Sequence, residues 1–174
     1  MNRNILKTLN TLIGVALAAG VVTSVEAQTA SVNATARVLV PIIVVTTEDL
    51  RFGDVIQGVN GVVAADDAAS AQFEFRGSTN AEIDMVLTLP TDLDDGGGNL
   101  MPINTWTGRR GVNATRGAGT AFTPVDAASI IDNFGAAGGD WYRIFLGATV
   151  VPGVAQTTGS YTGQIDLLVS YTGN

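Results

Sequence analysis

From Gln28 onward, apolar and polar residues alternate along much of the chain, the period-two signature of strands with one buried face. Ala30, Val32, Ala34, Ala36, Val38 and Val40 fall on one side, while Thr29, Ser31, Asn33, Thr35 and Arg37 fall on the other. At about 3.3 Å per residue the stretch 30–40 would reach roughly 35 Å, longer than most single strands. Pro41 then removes a backbone donor, which suits an edge or a change of partner better than the middle of a sheet. The pattern therefore predicts two pieces, 30–36 and 37–47.

Further along, Leu50 and Phe52 face inward and Gly53 marks a bulge or bend. Residues 58–69 read as an irregular strand or loop. Ala71, Phe73 and Phe75 share a face, a Gly77–Asn80 turn follows, and Ile83, Met85, Leu87 and Leu89 alternate with more polar neighbours. A short strand is expected over 100–107. Residues 108–134, rich in Gly, Ala and Asn, suggest long loops with a short helix around 126–131. Strand character returns over 141–151, and 152–159 turn the chain into a last strand. There Tyr161, Ile165, Leu167, Val169 and Tyr171 lie opposite Thr162, Gln164, Asp166, Ser170 and Thr172. No amphipathic helix of ordinary length is visible. About seven or eight short strands with Gly/Pro turns and no repeat predict one all-β sandwich. The outer side of the last strand must pair with an earlier segment or stay open, and open apolar edges recruit other chains.

Residues 1–27 carry a short basic start (Arg3, Lys7), an apolar run over 12–22 and Val25-Glu-Ala27, the pattern of a cleaved secretory signal peptide. Cleavage after Ala27 would leave 147 residues, enough for a single domain with its own core. Losing Arg3, Lys7 and Glu26 leaves seven cations, all arginine, against fifteen acids, a formal charge of −8. Such a chain is repelled by phosphate backbones, so nucleic acid is not an expected partner, and no later stretch reads as a membrane span. Cysteine and histidine are both absent. Stability must then come from packing and strand pairing, and histidine-based triads, zinc sites and acid–base chemistry are excluded.

Three stretches carry a family resemblance: Ala34-Thr-Ala-Arg-Val-Leu-Val-Pro-Ile42, Asp49-Leu-Arg-Phe-Gly53, and the terminal Gly159-Ser-Tyr-Thr-Gly-Gln-Ile-Asp-Leu-Leu-Val-Ser-Tyr171. Together they resemble the bacterial secreted domain-of-unknown-function 4402 family and, more distantly, the pilins of chaperone–usher fimbriae. The resemblance implies an immunoglobulin-like sandwich of residues 37–174 that lacks its final strand. The N-terminal extension of another subunit, residues 28–36, would complete it by β-strand addition. Carried onto this chain, Ala30, Val32, Ala34, Ala36 and Val38 become donor side chains, and Ile165, Leu167, Val169 and Tyr171 line the acceptor groove. The implied partners are copies of the same chain and, in transit through the periplasm to the cell surface, a periplasmic chaperone and an outer-membrane usher. Many such pilins hold a disulfide, from which this chain departs.

Other chemistry is sparse. Asp92, Asp94 and Asp95 offer clustered carboxylates for calcium, but their spacing does not match an EF-hand loop. Arg109, Arg110 and Arg116 suit local charge balance or an anionic ligand. Trp106, Trp141 and Tyr142 suit a core or interface, and nothing marks the paired carboxylates of a glycosidase. The sequence thus predicts a non-enzymatic filament subunit with no cofactor, the alternative being a monomeric secreted binding module for glycan or calcium.

Overall fold

The computed structural model describes residues 28–173, except the side chains of Thr46 and Thr47; the expected leader over 1–27 lies outside them. Ten strands run in chain order: β1 (Ile43–Glu48), β2 (Gly61–Val63), β3 (Ala71–Arg76), β4 (Glu82–Thr88), β5 (Asp92–Asp94), β6 (Leu100–Val112), β7 (Thr120–Phe122), β8 (Ser129–Asn133), β9 (Tyr142–Val150) and β10 (Asp166–Tyr171). Among the described residues there is no helix, and so none long and apolar enough to cross a membrane. One sheet is ordered β1-β3-β9-β6-β5, with β2 also on β9 and β7 also on β6; the second is β10-β4-β8. This is the all-β sandwich that the alternation predicts, built from more strands than the turn signals suggest.

The sheets meet because their strands carry apolar residues at every second position. Phe73 and Phe75 of β3 and Ile83, Met85 and Leu87 of β4 are buried, and together with Tyr142, Ile144 and Leu146 of β9 they form the main core. A smaller cluster of Leu93, Met101, Ile103, Ala148 and Val150 extends it towards the C-terminal end of β9. β9 is covered on both faces, so it reads as a nearly continuous apolar run. Gly147 permits that cover, since a Cβ there would strike the backbone of residues 63–65.

Two expectations are overturned. The helix around 126–131 is a turn leading into β8: the Asp126 carboxylate accepts from the Leu89 amide (2.8 Å), and the β-branched pair Ile130-Ile131 joins the edge of β4. The expected long loops of 108–134 are interrupted by three stretches of ladder, because β6 runs on to Val112 on β9 and also pairs with β7, and β8 pairs with β4. A register shift between Asn104 and Thr107, with Thr105 at φ 50, marks a bulge that bends this 13-residue strand and hides its continuity. At the N-terminus the alternating residues 28–42 form no strand, and pairing begins only at Ile43. Arg37 onward forms one compact unit, to which residues 28–36 do not belong.

One long side of the sandwich is stapled by charge. Arg110 of β6 lies opposite Ile144 and Asp132 of β8 opposite Ile83, so both point inward. Arg110 Nη1 reaches Asp132 Oδ2 at 2.9 Å, and the Tyr142 hydroxyl donates to the same oxygen at 2.5 Å. Burial, and next the hydrogen bond to the Asp132 carboxylate, push the Tyr142 phenol well above its ordinary range. The folded state therefore resists ionisation that the unfolded chain undergoes near pH 10, and stability present below that pH falls as pH rises above it. Urea unfolding at about pH 8 and about pH 11 is expected to show this loss in the parent and a shallower loss in Tyr142→Phe.

Candidate strand-acceptor groove

The other long side has no staple. β10 pairs with β4 from Asp166↔Thr88 to Tyr171↔Ile83, and no described strand pairs with its outer edge. The Thr172 amide donates to the Glu82 carbonyl at 3.3 Å, which sets the phase of the ladder. By antiparallel parity, Asp166, Leu168 and Ser170 turn their backbone groups towards β4, while Leu167, Val169 and Tyr171 turn theirs outward. The side chains of these last three, with Ile165, are half-buried and pack against the main core. One set of residues thus offers both an open row of backbone donors and acceptors and an incompletely covered apolar face.

The facing wall comes from β1, the edge of the larger sheet. Val44 lies opposite the fully buried Phe75 and so belongs to the inner face, yet it remains 41% exposed. Leu39, Ile42 and Leu50 are half-buried against the same core as the β10 residues. The walls are tied together at one end of the trough and border a cavity at the other. At one end the Tyr171 hydroxyl donates to the Val40 carbonyl (2.7 Å) and accepts from the Ser78 amide (2.8 Å), while the Val40 amide donates to Ser78 Oγ (2.7 Å). Gly77 is required here, because a Cβ would collide with the Tyr171 hydroxyl and the Phe134 ring. At the other end the segments 48–55 and 159–165 line a shared cavity of about 720 Å³ whose floor includes Phe73, Met101 and Ile103.

The expected acceptor residues Ile165, Leu167, Val169 and Tyr171 are brought together along one edge. Tyr161, read from the sequence on the same face, instead packs with the smaller cluster and donates its hydroxyl to the Thr157 carbonyl (2.7 Å). The expected donor residues Ala30, Val32, Ala34, Ala36 and Val38 are all exposed, Val32 at 94% and Val38 at 95%. The β1 wall was missed: Ile42 and Val44 were readable only as continued alternation after Pro41, whereas Leu50, beyond β1, reads as inward-facing in the sequence.

The aspartates do not converge on a cation. Asp92 accepts from Thr91 Oγ1 and Asp94 from the Gly96 amide, while Asp95 caps its own turn through Gly97 and Asn99. The Asn99 side chain, then the Gly97 amide, hold the Asp95 carboxyl below the usual range. Among the described residues no group of three or more acidic side chains is arranged to hold a metal ion. Arg109 pairs with Asp66 (3.6 Å) and Arg116 with Glu48 (2.7 Å), so each of these arginines balances a local acid.

No family model matches this chain, and no curated protein matches it significantly.

Replacing Tyr171 with Phe removes one bridging hydroxyl and leaves the Ser78 amide and the Val40 carbonyl without their partner. It is expected to cost about 1–3 kcal/mol in chemical denaturation, with the sheet signature in circular dichroism retained.

Proposed function

We propose that this protein is the repeating subunit of an extracellular filament, in which residues 28–36 of one copy occupy the groove beside β10 of the next. The observation that carries this reading is the coincidence, along β10, of an unpaired backbone edge with a half-covered apolar face. The exposed alternation of Ala30, Val32, Ala34, Ala36 and Val38 supplies what such an edge lacks: backbone groups for the ladder and small apolar side chains at every second position. Pilin-like donor-strand exchange, as in the resembled families, is the mode of assembly. Secretion through the periplasm, with a chaperone and an usher shielding the open edge, follows from the same reading.

The energetics favour backbone pairing over side-chain burial. Leu167, Val169 and Tyr171 each present one donor and one acceptor outward, so a guest strand forms about six hydrogen bonds worth about 3–9 kcal/mol net. Two donor valines add roughly 3–6 kcal/mol if fully buried, and the alanines less. Val32→Ala is therefore tolerable, whereas Val32→Asp would bury an unpaired carboxylate.

A monomeric binding module is the competing reading, favoured by the cavity between segments 48–55 and 159–165, which is wide enough for a small ligand.

Negative-stain imaging and sizing of the chain from Gln28 onward separate the two. Filaments are expected from the parent and from Val32→Ala, and none from Val32→Asp or from a chain lacking residues 28–36. Normal filaments from Val32→Asp would refute strand donation, and a monodisperse parent monomer would favour the binding module.

A further inference from the structure

Behind the groove wall, on the outer face of the larger sheet, one guanidinium gathers three separate stretches of chain. Arg116 belongs to the turn between β6 and β7. Its Nη2 donates to Glu48 Oε2 at 2.7 Å and to the Ser70 carbonyl at 3.4 Å, its Nε donates to Ser70 Oγ at 3.0 Å, and the group lies over the Phe145 ring of β9 at 5.2 Å. Ser70 and Phe145 are both buried. A planar fork that stacks on a ring can serve two partners at once, which a single ammonium cannot. The turn that delivers Arg116 is itself held: the Asn113 amide donates to the Trp141 carbonyl (2.6 Å), Arg143 Nη1 to the Ala114 carbonyl (3.4 Å), and the Ala118 and Gly119 amides to the Thr115 carbonyl (3.0 and 3.1 Å).

What Arg116 holds is the start of the cavity wall. The ladder of β1 on β3 slips between Thr46 and Glu48, its last pair is Glu48↔Gln72, and from there the chain leaves the sheet as the segment 48–55 that lines the cavity. Val44, opposite the buried Phe75, faces inward, whereas Glu48, opposite Gln72, faces outward, so the ion pair takes up no room in the groove. Past Glu48, among the described residues, the backbone of 49–55 has one backbone-to-backbone hydrogen bond to the rest of the domain, from the Arg51 amide to the Ala69 carbonyl (2.9 Å). Ala69 adjoins Ser70, the other residue that Arg116 grips. The Asp49–Arg51 pair (3.7 Å) lies within the segment and anchors it to nothing else.

We infer that Arg116 is a positioning residue for strand uptake: by fixing Glu48 against Ser70 from behind, it holds the wall 48–55 where a guest strand meets it. The inference rests on the donor-strand reading and adds to it a regulating contact that never touches the guest. A wall ordered in advance spares the binding step the cost of ordering it. The two side chains of the pair are 23% and 46% exposed, so salt screens them in part and the groove becomes less well shaped as ionic strength rises.

Glu48→Gln breaks the charge pair and leaves Arg116 on Ser70 and Phe145. Asp66→Asn is the matched control, because the Arg109–Asp66 pair is comparably exposed, 29% and 52%, and neither residue lines the groove. In the chain from Gln28 onward, hydrogen exchange of the Arg51 amide is followed by NMR before assembly, and filament growth on seeds of the same variant is followed by light scattering. Relative to the parent, Glu48→Gln should speed exchange at Arg51 and slow growth, each about fivefold at about 0.02 M salt and about twofold at about 1 M. Taking the ratio removes the like-charge repulsion that salt relieves in both chains. Asp66→Asn should change neither quantity. Unchanged exchange at Arg51 in Glu48→Gln, or an equal effect from Asp66→Asn, overturns the positioning role. Faster exchange with unchanged growth overturns it too, since uptake would then not depend on the wall that Arg116 holds. A parent that protects the Arg51 amide yet grows no filament refutes strand donation instead, and the exchange comparison still decides whether Arg116 holds the wall.

Discussion

Among the described residues the backbone of β10 is paired on one side only, and the rest of the domain is arranged around that fact. An edge strand exposes every second pair of donors and acceptors, a tolerable state in water but an invitation to pairing when the adjoining face is apolar. Here the residues whose backbones point outward, Leu167, Val169 and Tyr171, are also those whose side chains reach the main core. Covering the edge and completing the core are one event. A loop laid over the side chains would leave the backbone row open, and only another strand meets both needs.

The two long sides of the sandwich differ accordingly. On the β6–β8 side, Arg110, Asp132 and Tyr142 clamp the sheets together in the space between them, a costly arrangement that holds because each charge finds its partner. On the β1–β10 side the link is confined to the end, where the Tyr171 hydroxyl bridges Val40 and Ser78. With no disulfide available, the clamp holds the two sheets together on that side.

Much of this was legible in the sequence. β3, β4 and β10 announced themselves because their alternation reflects burial against a core that the chain itself supplies, and β9 because its nearly continuous apolar run is covered on both faces. Residues 28–42 alternate just as well, yet form no strand: periodicity reports which face an element would bury, not whether a partner backbone is at hand. β8 was misread because five residues between an Asp turn and a Gly-rich loop carry too little pattern to separate helix from strand. Only the first part of β6 was expected as a strand; 108–112 escaped because Gly108 and the Arg109-Arg110 pair look like loop, and the acid that admits Arg110 to the interior lies 22 residues away on the other sheet. One wall of the groove could be named beforehand. The other could not, because nothing local tells Val44 that the inner face beside it goes uncovered.

The phase of the β10 ladder also carries a mechanical consequence. Antiparallel hydrogen bonds lie perpendicular to the strands they join. Tension applied along a strand seated against Leu167, Val169 and Tyr171 therefore loads those bonds together in shear, and none can be peeled open ahead of its neighbours. Such a joint would yield only when those bonds fail together, under greater load than an unzipping hairpin.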